Sequence, residues 1–160
     1  MNGAMNGTLF INISNHPSAG WSEEQREAAI ALATARDDDG EIIAEGKIVD
    51  IPFPSVDPAA RWQQVYKLAQ KLREQIFSVI NENVPAEVRN NPEYPPVTIH
   101  LMGEQSLCWI LPHLLPFRFV VSTTERVVVD GRPQFKFVRF RRLPYADEEL
   151  SPTSPFRLWH

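Results

Sequence analysis

Four short apolar runs, residues 8–14 (TLFINIS), 47–53, 97–102 (VTIHLM) and 119–122, are separated by stretches too long for hairpins and patterned largely as helices. Strands joined this way run parallel, because a parallel pair needs a crossover of a dozen or more residues. The alternation predicts an α/β protein with a Rossmann-like, mostly parallel sheet and helices on both faces.

The helical stretches carry their own signals. Ser22 precedes Glu23, Glu24 and Gln25, an N-cap with a reciprocal Gln three residues on, and predicts an alanine-rich helix to about Ala35, ended by the acidic turn 37–40. Asp57-Pro58 reads as an N-cap with proline at the first helical position. Trp62, Val65, Ala69, Leu72, Ile76 and Val79 then recur at helical spacing to about Asn83. Residues 85–96 contain four prolines and two adjacent asparagines, which predicts a surface excursion without an element. Gly103 turns the chain into a helix over about 104–115, which Pro112 should kink or cut short.

After residue 122 the pattern changes. Residues 126–129, the turn Asp130-Gly131 and residues 134–143 predict a C-terminal β-hairpin. Residues 8–143 form one domain on this reading, and 144–160 form a surface tail in which Phe156, Leu158 and Trp159 are able to dock. No apolar stretch approaches the ~20 residues of a membrane span. The first residues lack the layout of a secretory signal, and the single Cys108 suits a reducing compartment, so the expected location is the cytoplasm.

In a parallel α/β sheet, ligands bind outside the carboxyl ends of the strands. That edge gathers Ser14 and the loop Asn15-His16-Pro17-Ser18, Pro54-Ser55, Gly103-Glu104-Gln105-Ser106, and Thr123-Thr124-Glu125-Arg126. Gly103 allows a close backbone approach, and the helix after it points free N–H groups at the same place, an arrangement suited to phosphate. Glu104 either caps that helix or binds a hydroxyl or an adenine edge. His16 either braces its loop or transfers a proton near neutral pH. Arg126 either forks onto a phosphate or pairs with a carboxylate such as Glu125. Ser106, Thr123 and Thr124 add hydroxyl donors. His100, His113 and Cys108 read as packing residues.

Charge is segregated. Seven Lys or Arg against two acids between residues 118 and 142 give +5, so a chain of net charge −4 leaves −9 for the rest. This hairpin can hold an anion or simply form a solvated face. Its alternation places Phe135, Phe137, Arg139 and Arg141 on one side, which favours packing for the phenylalanines over stacking on linear RNA or DNA. The chain lacks Gly-x-Gly-x-x-Gly after its first strand, a P-loop, a Cys/His cluster and a Gly-x-Ser-x-Gly elbow. Ordinary dinucleotide, P-loop, zinc and hydrolase-triad sites are therefore unsupported, and no metal or cofactor is expected.

Residues 10–25 (FINISNHPSAGWSEEQ), Met102-Gly103-Glu104 and the Ser-Thr-Thr-Glu-Arg run at 122–126 together resemble a family: small CRISPR-associated Rossmann-like proteins of the ring nuclease and cyclic-oligoadenylate-binding group. The resemblance spans residues 9–126 in scattered short motifs. It implies a ring nuclease or messenger-binding protein that lowers the level of cyclic oligoadenylate in type III CRISPR defence; the symmetry of such a ring suits a homodimer, and the uncovered hairpin edge would permit a larger assembly. Cyclic tetra-adenylate is the expected ring, and it would be removed by metal-independent cleavage or by sequestration. The site it implies has His16 as the catalytic residue. Ser14, Asn15, Gly103, Glu104, Ser106, Thr123, Thr124 and Arg126 would contact the ligand. A nucleic-acid-binding accessory protein or another nucleotide-handling enzyme is the competing expectation.

Overall fold

The computed structural model describes residues 5–90 and 97–144. Its centre is a strand of the kind the first apolar run predicts, β1 (Met5–Ser14), paired in parallel on one side with β3 (Ile42–Pro52) and on the other with β4 (Val97–Met102). Beyond β4 lies β5 (Arg118–Val129), also parallel where the two pair. Short β2 (Ala35–Arg36) and long β6 (Arg132–Arg142) pair antiparallel at the two edges, giving the order β2-β3-β1-β4-β5-β6. The chain steps from β1 to one side and then crosses to the other, so the switch point of the sheet lies between β1 and β4.

Helices cover both faces. Alternation along β1 and β4 sends Leu9, Ile11, Ile13, Val97, Ile99 and Leu101 into one core. Its other wall is built by α2 (Trp62–Asn83) through Val65, Ala69, Leu72, Ile76 and Ile80, with Leu107 of α4 (Gln105–Ile110) beside them. On the opposite face α1 (Glu23–Ala33) presents Ala29 and Ala33 to Phe10, Val120 and Phe140. Gly46 lets this helix come close, since a Cβ there would sit 2.5 Å from the Ile30 carbonyl oxygen.

Several boundaries differ from the sequence reading, each for a local reason. α1 stops two residues early: the Thr34 hydroxyl bonds back to the Ile30 carbonyl and accepts the Gly46 N–H, and the freed backbone forms β2. Asp57 does not cap α2. Its carboxylate accepts the Ala59 N–H in a local turn, and the helix starts at Trp62, with the Gln64 side chain accepting the Arg61 N–H. Trp62 is accordingly exposed and Ile80 replaces Val79 in the buried stripe. The proline-rich segment holds one helical turn, α3 (Ala86–Arg89), anchored by buried Val88. Pro112 ends α4 as expected, and the chain continues as a 3-10 turn over Leu111–Leu114.

The fourth strand and the first hairpin arm are one element. β5 runs unbroken through Thr123, Thr124, Glu125 and Arg126, because β6 supplies backbone partners along it. Asp130 and Gly131 both adopt positive φ, 52° and 74°, the two-residue turn that Asp-Gly favours. Residues 145–160, including Phe156, Leu158 and Trp159, lie outside the described residues. Among the described residues no helix is long and apolar enough to cross a membrane.

Candidate functional site

The face of the sheet under α1 changes character along its strands. Phe10, Val120 and Phe140 are covered by the helix. Two residues further on, the same face carries Asn12 and Ser14 on β1, His100 and Met102 on β4, and Ser122 on β5. Helix α1 does not extend over these positions, because the chain leaving β1 first makes a 3-10 turn at Ser18–Gly20. The resulting notch is an open cavity of about 1020 Å³ at the carboxyl ends of β1 and β4. Ser14, Asn15, His16, Trp21, His100, Met102 and Gly103 line one side, and Ser122, Thr124, Phe135, Lys136 and Phe137 of the hairpin line the other.

Its floor is a connected polar network. Asn12 is buried and donates from Nδ2 to Asp50 Oδ1 at 2.8 Å and to the His16 carbonyl at 3.0 Å. Asn12 Oδ1 meets the Ser14 hydroxyl at 2.9 Å and His100 Nδ1 at 2.8 Å. His100 Nε2 lies 3.1 Å from Ser122 Oγ. Asp50 also accepts from the Ser18 hydroxyl at 2.8 Å, so one carboxylate ties the loop after β1 to the neighbouring strand. Edge-on contacts from Trp21 and Phe140, and the Phe10 ring stacked beside it, enclose the His100 imidazole. Burial, and then His16 nearby, push its pKa down to about 4, so it is neutral at physiological pH.

The expected site residues divide. Ser14, Asn15, His16, Gly103 and Thr124 line the cavity, with Asn15, His16 and Thr124 exposed. Ser14 faces inward as a brace: its oxygen accepts the His16 N–H at 3.2 Å and bonds to Asn12. Gly103 answers to packing, since a Cβ there would lie 2.4 Å from the Phe53 ring. Glu104 caps α4. Its carboxylate accepts from the Ser106 hydroxyl and the Leu107 N–H, which hold it below the usual carboxylate range. Glu104 and Ser106 line a separate groove with Trp62 and Trp109, and the six-residue α4 provides no phosphate site at the cavity.

Thr123 and Arg126 do not line the cavity either. They lie within β5, where Thr123 Oγ1 donates to the Arg139 carbonyl at 3.1 Å and Arg126 is exposed. The cation that does line the cavity is Lys136. A register shift opposite Thr123/Thr124 places Phe137 on the side of Phe140, their rings 4.9 Å apart, and separates it from Arg139. Phe135, expected to pack, is 74% exposed.

Sequence reasoning missed Asn12, Asp50, His100, Trp21 and Ser122. One signal was available: Asn12 and His100 are polar residues inside apolar runs, and aligning the two parallel strands by their ends sets them side by side. Among the described residues no group of three or more His, Cys, Asp or Glu is placed to hold a metal ion. No family model, curated protein or solved structure matches the chain.

Proposed function

We propose that this cavity binds cyclic oligoadenylate, with cyclic tetra-adenylate as the preferred ring, and that the protein lowers its concentration by cleaving or holding it. The observation that carries the reading is the position and lining of the cavity. It lies at the switch point of a Rossmann-like sheet, where nucleotides bind in this architecture. Its walls combine a cation, Lys136, with the aromatic residues Trp21, Phe135 and Phe137 and the polar Asn15 and His16, while Glu23 and Glu24 of the first turn of α1 add two carboxylates at another part of the rim. Such a mixture suits phosphate at one point and a stacked base at another.

The volume, about 1020 Å³, is at the upper end for a small-molecule site and accommodates part of a tetranucleotide ring. A ring of four phosphates has a symmetry axis, so two copies of this open cavity facing one another across a two-fold would each take half. Cleavage in such a site needs no metal: a ribose 2′-hydroxyl attacks the adjacent phosphorus once it is held in line. Incubation of the full chain with labelled cyclic tetra-adenylate, followed by chromatography, separates the outcomes. Linear products mean cleavage, and intact ring that co-elutes with protein means sequestration. Neither result with any ring size would end the proposal.

One observation favours a second reading. Phe135 is 74% exposed beside Lys136 on a hairpin that carries most of the basic excess, an arrangement that can stack and neutralise linear single-stranded nucleic acid. Filter binding at two salt concentrations decides it, because such affinity falls steeply with salt. No retention even at low salt removes this alternative.

A further inference from the structure

The hydrogen positions in the cavity floor follow from its partners. Asn12 Nδ2 faces two atoms that only accept, Asp50 Oδ1 and the His16 carbonyl oxygen, which fixes the amide with Oδ1 turned toward His100 Nδ1. An amide oxygen donates nothing, so Nδ1 carries the ring hydrogen. The neutral imidazole then has a bare lone pair on Nε2, and the atom 3.1 Å away is Ser122 Oγ. Ser122 must donate to it. Met102 Sδ is 2.9 Å from the same Oγ, but a thioether is a weak acceptor beside an imidazole nitrogen. Asp50, Asn12, His100 and Ser122 thus form a file from β3 across β1 and β4 to β5, and His100 and Ser122 both line the cavity.

Resting on the nucleotide reading above, we infer that Ser122 and His100 are the proton-accepting station of the cavity, with Asn12 and Asp50 as positioning residues that hold the ring in its tautomer. In the step this supports, the ribose 2′-hydroxyl gives its proton to Ser122 Oγ as the Ser122 hydrogen passes to His100 Nε2. The 2′-oxygen forms a bond to the adjacent phosphorus. The bond from phosphorus to the 5′-oxygen breaks, and that oxygen leaves with the electron pair. His16, exposed on the cavity wall, supplies the leaving oxygen with a proton. The products are a 2′,3′-cyclic phosphate and a free 5′-hydroxyl. Base and acid are then distinct groups, as an in-line displacement requires. Only Ser122 touches the ligand hydroxyl, and His100 acts through it.

Two measurements on the full chain test this. The first needs no ligand: nitrogen NMR of the imidazole rings should find His100 Nε2 unprotonated and Nδ1 protonated at neutral pH. The second is single-turnover cleavage and equilibrium binding of labelled cyclic tetra-adenylate by wild type, Ser122→Ala, Ser122→Thr and His100→Gln. Ser122→Ala and His100→Gln should each slow cleavage by about 10² or more while Kd changes less than about tenfold, and Ser122→Thr, which keeps the hydroxyl, should recover much of the rate. If His100→Gln does not fold, the two Ser122 variants decide. A protonated Nε2, cleavage by Ser122→Ala at the wild-type rate, or wild type that binds the ring without cleaving it would overturn the inference alone. Wild type that neither binds nor cleaves overturns it together with the nucleotide reading.

Discussion

His100 sets the behaviour of the site at the scale of single residues. In the unfolded chain its imidazole titrates near 6.5, whereas in the fold it is held to about 4. The unfolded state therefore takes up the proton first on acidification. The stability this provides is complete above pH 6.5 and is lost as pH falls toward 4, at about 1.4 kcal/mol per pH unit. Urea unfolding should report about 2 kcal/mol less stability at pH 5 than at pH 7, and His100→Gln should remove most of that difference. An equal loss in the variant would assign it to other groups. Asn12 is the second sensitive position. Removing its amide leaves the buried His100 Nδ1–H without a partner and takes from Ser14 its bond to Oδ1, so Asn12→Ala should cost roughly 2–3 kcal/mol in the same measurement.

Ligand contacts are also decided residue by residue. Lys136 lines the cavity and Arg126 does not. Lys136→Ala should weaken cyclic tetra-adenylate by about ten- to a hundred-fold, the worth of a charge-assisted hydrogen bond, and Arg126→Ala should do less. Isothermal titration calorimetry of the two variants compares them, and the reverse order would move the phosphate contacts out of the cavity onto the hairpin face.

At the scale of elements, the close approach of α1 to β3 depends on Gly46. A Cβ there would meet backbone, the Ile30 carbonyl oxygen at 2.5 Å, which cannot rotate away. Gly46→Ala should destabilise by about 1–3 kcal/mol, read as a lowered midpoint of thermal unfolding. Strands β1 and β4, the core of α2 and the Asp-Gly hairpin were legible because each follows from local periodicity or turn chemistry. The extent of β5 was not. The hydroxyl-rich run at 122–126 looks like a loop until β6 is known to pair with it, and that pairing is non-local. Expectations for Thr123 and Arg126 as loop contacts depended on that boundary. Glu104 read correctly as a possible cap, because the N-cap position constrains a carboxylate whatever the tertiary fold.

For the whole molecule, the architecture was legible from the order of elements, and the cavity from the rule that such sheets bind ligands at their carboxyl edge. What the chain alone did not reveal was the floor of that cavity, where Asp50, Asn12, His100 and Ser122 come from four strands and meet only after the sheet assembles. The open cavity and the symmetry of the proposed ligand also predict a two-fold dimer when the ring is bound. Light scattering with and without cyclic tetra-adenylate should give twice the monomer mass in its presence, and a monomer under both conditions would exclude the shared-ring geometry. The most direct measurement is amide NMR of the full chain during titration with cyclic tetra-adenylate. Shifts should concentrate at residues 14–16, 102–103, 122, 124 and 134–137, the two walls of the cavity. No shift with any ring size, or shifts gathered instead around Trp62 and Trp109, would contradict the assignment of this cavity as the nucleotide site.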